Sequence, residues 1–203
     1  MKKLPVKVFS EWAKTGKDIG MQKGHKSSVD KMLSYATKDL KQYSFIDAGC
    51  GNGWVVRDIS NSKECISATG VDGSLEMINK AKYLDSVNSY VCEDLIKWIP
   101  KNKVNLVHSM EVFYYFKNPM KLIKHIHDNW LKKGARLIVG MDFYEENKTS
   151  HNWPEKTGVS IMELLSENTW KKYFENSGFK NVNSWKIGEK ENWEGTLVIT
   201  GIK

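Results

Sequence analysis

From Ser44 onward the chain alternates between short runs rich in apolar and β-branched residues and longer segments whose apolar residues recur at helical spacing. Such alternation is typical of an α/β sheet whose strands are joined by crossover helices. The pattern predicts seven strands, at 44–48, 66–71, 89–92, 104–109, 135–141, 182–187 and 196–202. Only residues 188–195 separate the last two strands, which is too short for a crossover helix, so we expect an antiparallel hairpin at the end of the sheet.

The connecting segments carry helix signals. Crossover helices are predicted at 53–61, 74–85, 119–133 and 167–177. The third is the best marked of these, because Asn118 supplies a cap, Pro119 takes the first helical position and Gly134 follows the last turn. The alternating sheet and these helices indicate one α/β domain.

Residues 1–43 precede the sheet and are interpreted as an N-terminal helical cap, with residues 44–203 forming the main part of a single globular domain. A polar, glycine-punctuated stretch at 15–25 leads into a helix predicted at about 27–41, whose apolar face is expected to pack over the sheet. An insertion at 143–165 follows the fifth strand, and its Ser160 and Glu163 have the spacing of a helix capping box.

Composition limits where the chain works and what it binds. Cys50, Cys65 and Cys92 show no pairing pattern or thiolate zinc spacing, which suits a reducing cytoplasm. No targeting signal is evident, and no apolar run approaches the roughly 20 residues that cross a bilayer. The net charge of +7 invites a nucleic-acid hypothesis, but Arg57 and Arg136 are the only arginines among 31 basic residues. Scattered lysine is more typical of a solvated surface, so nucleic acid is disfavoured as a partner without being excluded.

The first strand runs into a glycine-rich turn, Asp47-Ala48-Gly49-Cys50-Gly51-Asn52-Gly53, and then into a helix. In open α/β sheets a ligand binds beyond the carboxyl ends of the strands, where this turn lies. A dinucleotide site requires G-x-G-x-x-G, but Trp54 stands where the third glycine would fall. The carboxylate of Asp47 would repel a pyrophosphate and suits a ligand with ammonium and sulfonium groups.

This turn resembles the first motif of the class I, Rossmann-like methyltransferases, which use S-adenosylmethionine. Three further segments resemble later motifs of that family in the same order: Val71 to Met77, Cys92 to Leu95, and Ser109 to Val112. The resemblance covers about 44–203 and implies a three-layer αβα sandwich with a seven-stranded, mostly parallel sheet and an antiparallel last strand.

The resemblance also implies roles for individual residues. The acid at Asp72 would receive the ribose hydroxyls, Asp94 the adenine amino group, and the fourth motif would lie under the methionine part of the cofactor. The cofactor-binding residues so implied are Asp47, Gly49, Cys50, Gly51, Gly53, Asp72, Gly73, Met77, Glu93, Asp94, Leu95, Ser109, Met110 and Glu111.

The acceptor is less constrained. The segment Glu111 to Phe116 lacks the Asn/Asp-Pro-Pro-aromatic tetrad of family members that methylate exocyclic or amide nitrogens, and no cysteine lies after the fourth strand. Asp142, Glu145 and Glu146 lie near the end of the fifth strand, but no metal is predicted. With its N-terminal helical cap and its insertion after the fifth strand, the chain resembles the broad subgroup that acts on small molecules. Methyl transfer itself requires mainly alignment, exclusion of water and, where necessary, removal of a proton.

No catalytic residue can be assigned from sequence, and three candidates are weighed. His25 and His151 could act as bases because imidazole titrates near neutrality, and Tyr114 could rise from the floor of the site. Trp12, His25 and Lys26 are expected to reach the opening from the cap. Tyr114 and Tyr115 point in different directions, so at least one is expected in the core.

Four functions therefore remain open. The first is a small-molecule methyltransferase acting by direct displacement, and the second is an RNA or protein methyltransferase. The third is a module that binds the cofactor without catalysis. A nicotinamide-dependent oxidoreductase is the fourth, already weakened by the glycine spacing. The oligomeric state is not predicted.

Overall fold

The computed structural model describes residues 1–203. All seven predicted strands form and pair in one sheet, in the order β3-β2-β1-β4-β5-β7-β6. Their bounds are β1 Tyr43–Ala48, β2 Cys65–Asp72, β3 Ser89–Cys92, β4 Val104–Met110, β5 Leu131–Met141, β6 Lys180–Ile187 and β7 Thr196–Ile202. β7 runs antiparallel to both β5 and β6, and the remaining pairs are parallel. The predicted mixed sheet with its terminal hairpin is confirmed.

Helices cover both faces of the sheet and make the predicted three layers. They are α1 Pro5–Thr15, α2 Lys17–Thr37, α3 Trp54–Ser60, α4 Leu75–Leu84, α5 Pro119–His125, α6 Trp153–Thr157 and α7 Glu167–Asn176. Side chains alternate across each strand, so Phe45 joins one buried cluster, with α2, α3 and α4, while Ile46 joins the other, with α5 and α7. Two separate cores on the two faces of one sheet are typical of a doubly wound fold.

The helix predicted at about 27–41 begins earlier than expected and takes in most of the glycine-punctuated stretch at 15–25. α2 begins at Lys17 and continues through Gly20 and Gly24, where an added Cβ would meet nothing within 4 Å. Each helical glycine costs about 1 kcal/mol relative to alanine. The hydrogen bond and ion pair that Asp18 makes at one end of the helix, and the burial of Val29 further along it, offset this cost, so tertiary contacts override local propensity.

Two boundaries also differ from the sequence expectation. The helix after Pro119 ends in a single π-type turn at Ile126–Trp130, and β5 already begins at Leu131, which is fully buried and pairs with Val104. Gly134, at φ 77°, turns the chain within β5 instead of ending the helix. No helix follows the proposed capping box at 160–163, since α7 begins at Glu167 with Ser166 as its cap.

None of these helices combines the length and the apolar character required to cross a membrane.

Candidate active site

A cavity of about 460 Å³ lies at the carboxyl ends of β1, β2, β3 and β4. The glycine-rich turn after β1 forms part of its wall, and α1 and α2 supply side chains on the opposite side. Its volume lies within the range typical of sites for small ligands. The parallel strands thus bring the ends of four separate sequence motifs to one enclosure.

The three glycines of the turn have different environments. A Cβ on Gly49 would lie 2.3 Å from Cγ2 of Val112, and one on Gly53 would lie 2.4 Å from Cε1 of Tyr90. Both residues have positive φ, so only glycine satisfies the turn and the close approach together. Gly51 differs, because an added Cβ would meet only the sulfur of Met77, at 4.0 Å. Gly51 is therefore the glycine of this turn whose backbone has open space for a ligand.

Asp72, at the end of β2, holds this turn against the next one. Its Oδ2 accepts a hydrogen bond from the backbone N–H of Gly51 (3.0 Å), and its Oδ1 accepts one from the N–H of Ser74 (2.8 Å). Burial raises the pKa of the Asp72 carboxyl, and the two hydrogen bonds oppose that rise. The carboxylate is thus preorganised at the cavity wall by two backbone donors.

A buried pair that the sequence reasoning missed lies beneath the turn. His108 donates from Nδ1 to Oδ1 of Asp47 at 2.7 Å, and its Nε2 is buried without a hydrogen-bond partner. Both residues line the cavity. His108 directly precedes the fourth motif, but an isolated strand histidine gives no signal by itself. Only the pairing of β1 with β4, which sets Asp47 opposite His108, reveals the contact.

The structure brings most of the residues proposed for the cofactor to this one cavity. Those in its lining are Asp47, Gly49, Gly51, Asp72, Gly73, Met77, Glu93, Asp94, Leu95, Met110 and Glu111. Three others lie outside the lining. Cys50 is buried against Gly70, Gly53 packs on Tyr90, and Ser109 donates its hydroxyl to the carbonyl of Ala48 at 2.7 Å. These three support the loop and the strand ends rather than facing the cavity.

The N-terminal cap is fastened over the cavity by polar contacts. Asp18 of α2, which is 5% exposed, accepts from the Asn52 side chain and from the Lys80 ammonium, both at 2.8 Å. Ser10 of α1 and Ser74 share a hydrogen bond of 2.9 Å. These contacts join α1 and α2 to the glycine-rich turn and to α4. Sequence reasoning did not single out Asp18 or Asn52 for a role, because their meeting depends on the three-dimensional path of the cap.

Two of the three residues expected to reach the opening from the cap do so. Trp12 and His25 line the cavity. Lys26 does not, and this expectation is wrong: its ammonium contacts Asp30 and Asp58, each at 3.0 Å, away from the opening. The ion pairs with Asp30 and Asp58 hold the Lys26 side chain on a different face of α2 from His25.

Of the three catalytic candidates, only His25 lines the cavity. His25 lies in the cavity wall, whereas His151 lies outside it, with its Nε2 against the carbonyl of Glu145 at 2.9 Å. Tyr114 is fully buried and donates its hydroxyl to Oε2 of Glu111 at 2.6 Å. Its neighbour Tyr115 lines the cavity instead, as expected for adjacent residues of which at least one packs in the core.

Glu111 belongs to a buried cluster that also contains His25 and Asp142. Nε2 of His25 lies 3.4 Å from Oδ2 of Asp142, and Oε1 of Glu111 accepts from the backbone N–H of Asp142. Burial and then the charge of Asp142 raise the pKa of Glu111 to about 7. Burial alone would lower the pKa of His25, but its hydrogen bond to Asp142 and the nearby carboxylates raise it overall. The cluster can therefore exchange a proton near neutral pH.

Residues 143–165 contribute nothing to the lining of this cavity. They lie alongside it, where Glu163 donates its backbone N–H to the carbonyl of Tyr114 and Val159 forms a β-bridge with Lys3, just before α1. A substrate-side role for this segment stays a prediction.

The residues present fit S-adenosylmethionine. Gly51 leaves open backbone beside the carboxylate of Asp72, and buried Asp47 supplies a negative charge for a cationic ligand. Exposed Asp94 and buried Leu95 follow the next strand, offering a hydrogen-bond acceptor beside an apolar side chain.

Comparison with known proteins agrees with this chemistry. The sequence matches the family described as "Methyltransferase domain" over residues 17–184. A malonyl-[acyl-carrier protein] O-methyltransferase of Ilyobacter polytropus is 27% identical over 157 residues. That match covers 73% of this chain and 59% of the relative, so the chain spans less than two thirds of the relative's length.

Solved structures share the fold. A Haloferax volcanii protein, solved as the methyltransferase in a complex with the Trm112 methyltransferase activator, has a TM-score of 0.83 and 26% identity, covering 96% of both chains. The N-methyltransferase NodS of Bradyrhizobium japonicum, in complex with S-adenosyl-L-homocysteine, has a TM-score of 0.69 and 15% identity, covering 87% of this chain and 86% of NodS. At that identity the second likeness shows the fold alone. With the family match over most of its length, the chain belongs to the class I, S-adenosylmethionine-dependent methyltransferases.

Proposed function

We propose that this protein transfers the methyl group of S-adenosylmethionine to a small-molecule acceptor by direct displacement. The observation that carries the proposal is the meeting of acidic residues from four strand ends in one covered cavity: Asp47, Asp72, Asp94 and Glu111. A single strand-end acid is often only a helix cap, but four around one cavity indicate a ligand site.

Each acid has a proposed task. Asp72 would receive the ribose hydroxyls, Asp94 the adenine amino group, and Asp47 the ammonium group of the cofactor. When bound, S-adenosylmethionine supplies an electrophilic methyl group on a sulfonium sulfur. The protein would then align the acceptor with that methyl group and exclude water, which accounts for the lack of a serine- or cysteine-based triad at the site.

The enclosure favours a small acceptor. Nine lining residues come from α1, α2 and the segment just before α1, so the cap covers the ends of the strands. We accordingly retain the proposed division into a cap at 1–43 and a main part at 44–203. An RNA or protein acceptor would require an open path to the methyl group. The net charge of +7 motivates that alternative, but no lysine or arginine lines the cavity.

Calorimetry tests the donor. We expect both S-adenosylmethionine and S-adenosylhomocysteine to bind, and Asp72→Ala to weaken both by at least about tenfold, as loss of a charge-assisted hydrogen-bond acceptor predicts. Asp39→Ala, at an exposed position after α2 and outside the cavity lining, is the matched control and should change neither affinity. No binding by the unaltered protein would contradict the proposed function.

Label transfer tests the acceptor class. A small-molecule extract treated with nuclease and protease should accept a labelled methyl group from the donor. Label appearing only in untreated macromolecular fractions would support the RNA or protein alternative. Donor binding without turnover in any extract would support a cofactor-binding module.

We also propose a protein partner at the β3 edge of the sheet, since the Haloferax volcanii relative was solved with the Trm112 activator. Apolar side chains are exposed beside this edge: Tyr83 and Val87 are each 89% exposed, just before β3, and Ile66 is 63% exposed. Ile66 lies in the first half of β2, which has no β3 residue opposite it. An open strand edge flanked by apolar residues is a ready surface for another chain.

Co-purification with a Trm112-type activator tests this surface. Val87→Lys should abolish the complex while leaving S-adenosylhomocysteine binding unchanged. Asn183→Lys, at an exposed position on the opposite edge strand, is the control and should leave the complex intact. A complex that survives Val87→Lys would contradict this location.

The cytoplasm is the proposed compartment, because all three cysteines are free thiols.

A further inference from the structure

The charges that line the cavity are all acidic or histidine. Six carboxylates line it, from Asp18, Asp47, Asp72, Glu93, Asp94 and Glu111, with His25 and His108. No lysine or arginine lines it, although the chain has 31 of these residues. An anionic acceptor would lose hydration on entering and would find no cationic partner among these carboxylates. The lining therefore disfavours a carboxylate or phosphate acceptor.

Most of these carboxylates have another task. Asp18 is paired with the Lys80 ammonium at 2.8 Å, and Asp47, Asp72, Glu93 and Asp94 are proposed for the cofactor. Glu111 remains, together with His25 beside it. Val112, the residue after Glu111, packs against Gly49 of the glycine-rich turn, so the Glu111 carboxylate lies beside the proposed cofactor site.

The backbone fixes this carboxylate in place. Glu111 has φ 61°, a left-handed conformation that is rare outside glycine and is strained for a residue with a side chain. Its carboxylate accepts from the Tyr114 hydroxyl on one oxygen and from the Asp142 backbone N–H on the other. Oδ1 of Asp142, behind it, is buried without any partner. The site therefore holds more negative charge than its own hydrogen bonds satisfy.

Part of the cavity wall is aromatic. Phe9, Trp12, Tyr115 and Phe116 all line the cavity, and the Phe9 ring lies 5.3 Å from that of Trp12 and 5.1 Å from that of Tyr115, both edge to face. Aromatic faces attract organic cations and pack on apolar groups. A carboxylate floor with an aromatic wall suits an ammonium group carried on an apolar body.

We propose that the acceptor is an amine on an apolar or aromatic group, with no anionic group of its own, and that Glu111 takes its proton. This inference rests on the proposed methyltransferase function. The bound ammonium gives one proton to the Glu111 carboxylate, and the nitrogen lone pair then forms a bond to the methyl carbon. The carbon–sulfur bond breaks and its electron pair stays on sulfur, which leaves S-adenosylhomocysteine and the N-methylated ammonium.

His25 can return the Glu111 carboxyl to its charged form after methyl transfer. Its side chain is 14% exposed while that of Asp142 is 9% exposed, so His25 is the member of the cluster nearer to solvent. It can pass the proton of Glu111 outward, with Asp142 stabilising the imidazolium. The same three side chains also have the spacing of a metal site. Each oxygen of Glu111 accepts one hydrogen bond and keeps a second lone pair, so the carboxylate can still take a proton, and a chelator in the binding experiment separates this role from metal binding.

Binding of matched probes to the protein saturated with S-adenosylhomocysteine tests the inference without requiring turnover. Phenethylamine, phenethyl alcohol and hydrocinnamate share an aromatic body and differ in the charge at the end. Calorimetry near pH 8 in the presence of a chelator should show the amine binding at least about tenfold more tightly than the other two, the effect of one buried opposite charge. Amine binding should weaken as the pH falls below about 7, when Glu111 becomes protonated.

Variants separate this role from a structural one. Glu111→Gln keeps an acceptor for the Asp142 N–H and a partner for the Tyr114 hydroxyl, and should reduce the preference for amine over alcohol to within about twofold. His25→Gln, nearer to the surface, should weaken the pH dependence of amine binding. His151→Gln, outside the cavity, is the control and should change neither.

The outcomes are distinct from those for the proposed function. If S-adenosylhomocysteine does not bind, the proposed function itself fails. If it binds but hydrocinnamate binds as well as the amine, or no amine binds at about 10 mM, only the present inference is overturned. Amine binding that appears only on addition of Mn²⁺ would assign the cluster to a metal instead.

Discussion

At the scale of single residues, Glu111 combines three features that each lower the stability of a folded protein. It has a left-handed backbone, its carboxylate is buried, and a second carboxylate from Asp142 lies beside it. Its pKa of about 7 lies well above the ordinary value of 4.5, chiefly because burial disfavours the charged form. Such a combination persists where a site requires the charge, and is more typical of function than of packing.

The raised pKa of Glu111 predicts how stability depends on pH. Because the folded protein holds this proton more tightly than the unfolded chain, the stabilisation is complete below about pH 4.5 and is lost as the pH rises toward about 7. The raised pKa of His25 acts in the same direction. We expect the free energy of unfolding, from urea titrations without ligand, to fall across this window, on the order of 2 kcal/mol of it due to Glu111.

The Glu111→Gln variant should flatten that fall, since its amide does not titrate. Glu145→Gln, which replaces an exposed acid beyond β5, is the control and should follow the unaltered protein. A stability that rises between these pH values in the unaltered protein would show that the sign is wrong.

At the scale of elements, the cap formed by α1 and α2 closes the site through few contacts. Asp18 is the central one, because it joins α2 both to the glycine-rich turn, through Asn52, and to α4, through Lys80. The apolar contacts of α2 lie further along the helix, where Val29 and Met32 pack on the sheet. The start of α2 therefore depends on polar contacts more than its second half does.

Asp18→Ala should loosen the cap without unfolding the domain. Removing this buried carboxylate leaves the Asn52 amide and the Lys80 ammonium without their partner, at a cost of about 2–3 kcal/mol. Hydrogen exchange should accelerate in residues 5–25 and not in the sheet, and S-adenosylhomocysteine should dissociate about tenfold faster. Asp30→Ala removes an exposed contact with Lys26 from the same helix and should cost less than about 1 kcal/mol. Uniform acceleration over the whole chain would contradict a local role for Asp18.

At the scale of the whole molecule, the sequence predicts what depends on local periodicity and misses what depends on long-range contacts. All seven strands and their terminal hairpin follow from alternation along the chain and loop length. The helical continuity through Gly20 and the early start of β5 at Leu131 do not, because tertiary burial decides both. The acids at strand ends were predictable from their motifs. The contact between Asp142 and His25 joins residues far apart in sequence, and only the fold brings them together.

The outer surface of the molecule and its cavity differ in the sign of their charge. The net charge of +7 attracts polyanions, whereas the cavity presents carboxylates and no lysine or arginine. We therefore expect RNA to bind weakly and outside the site, with an affinity that falls steeply as salt is raised. Fluorescence anisotropy on a labelled oligonucleotide at low and physiological salt measures the affinity for RNA and its salt dependence. Calorimetry of S-adenosylhomocysteine with and without RNA shows whether the RNA binds outside the site. The affinity for S-adenosylhomocysteine should be the same in both cases, since a phosphate chain has no favourable position among Asp47, Asp72 and Glu111. If RNA changes the affinity for S-adenosylhomocysteine, or if it gains a methyl group, the basic surface is part of the substrate-binding site. The RNA alternative would then be preferred over a small-molecule acceptor.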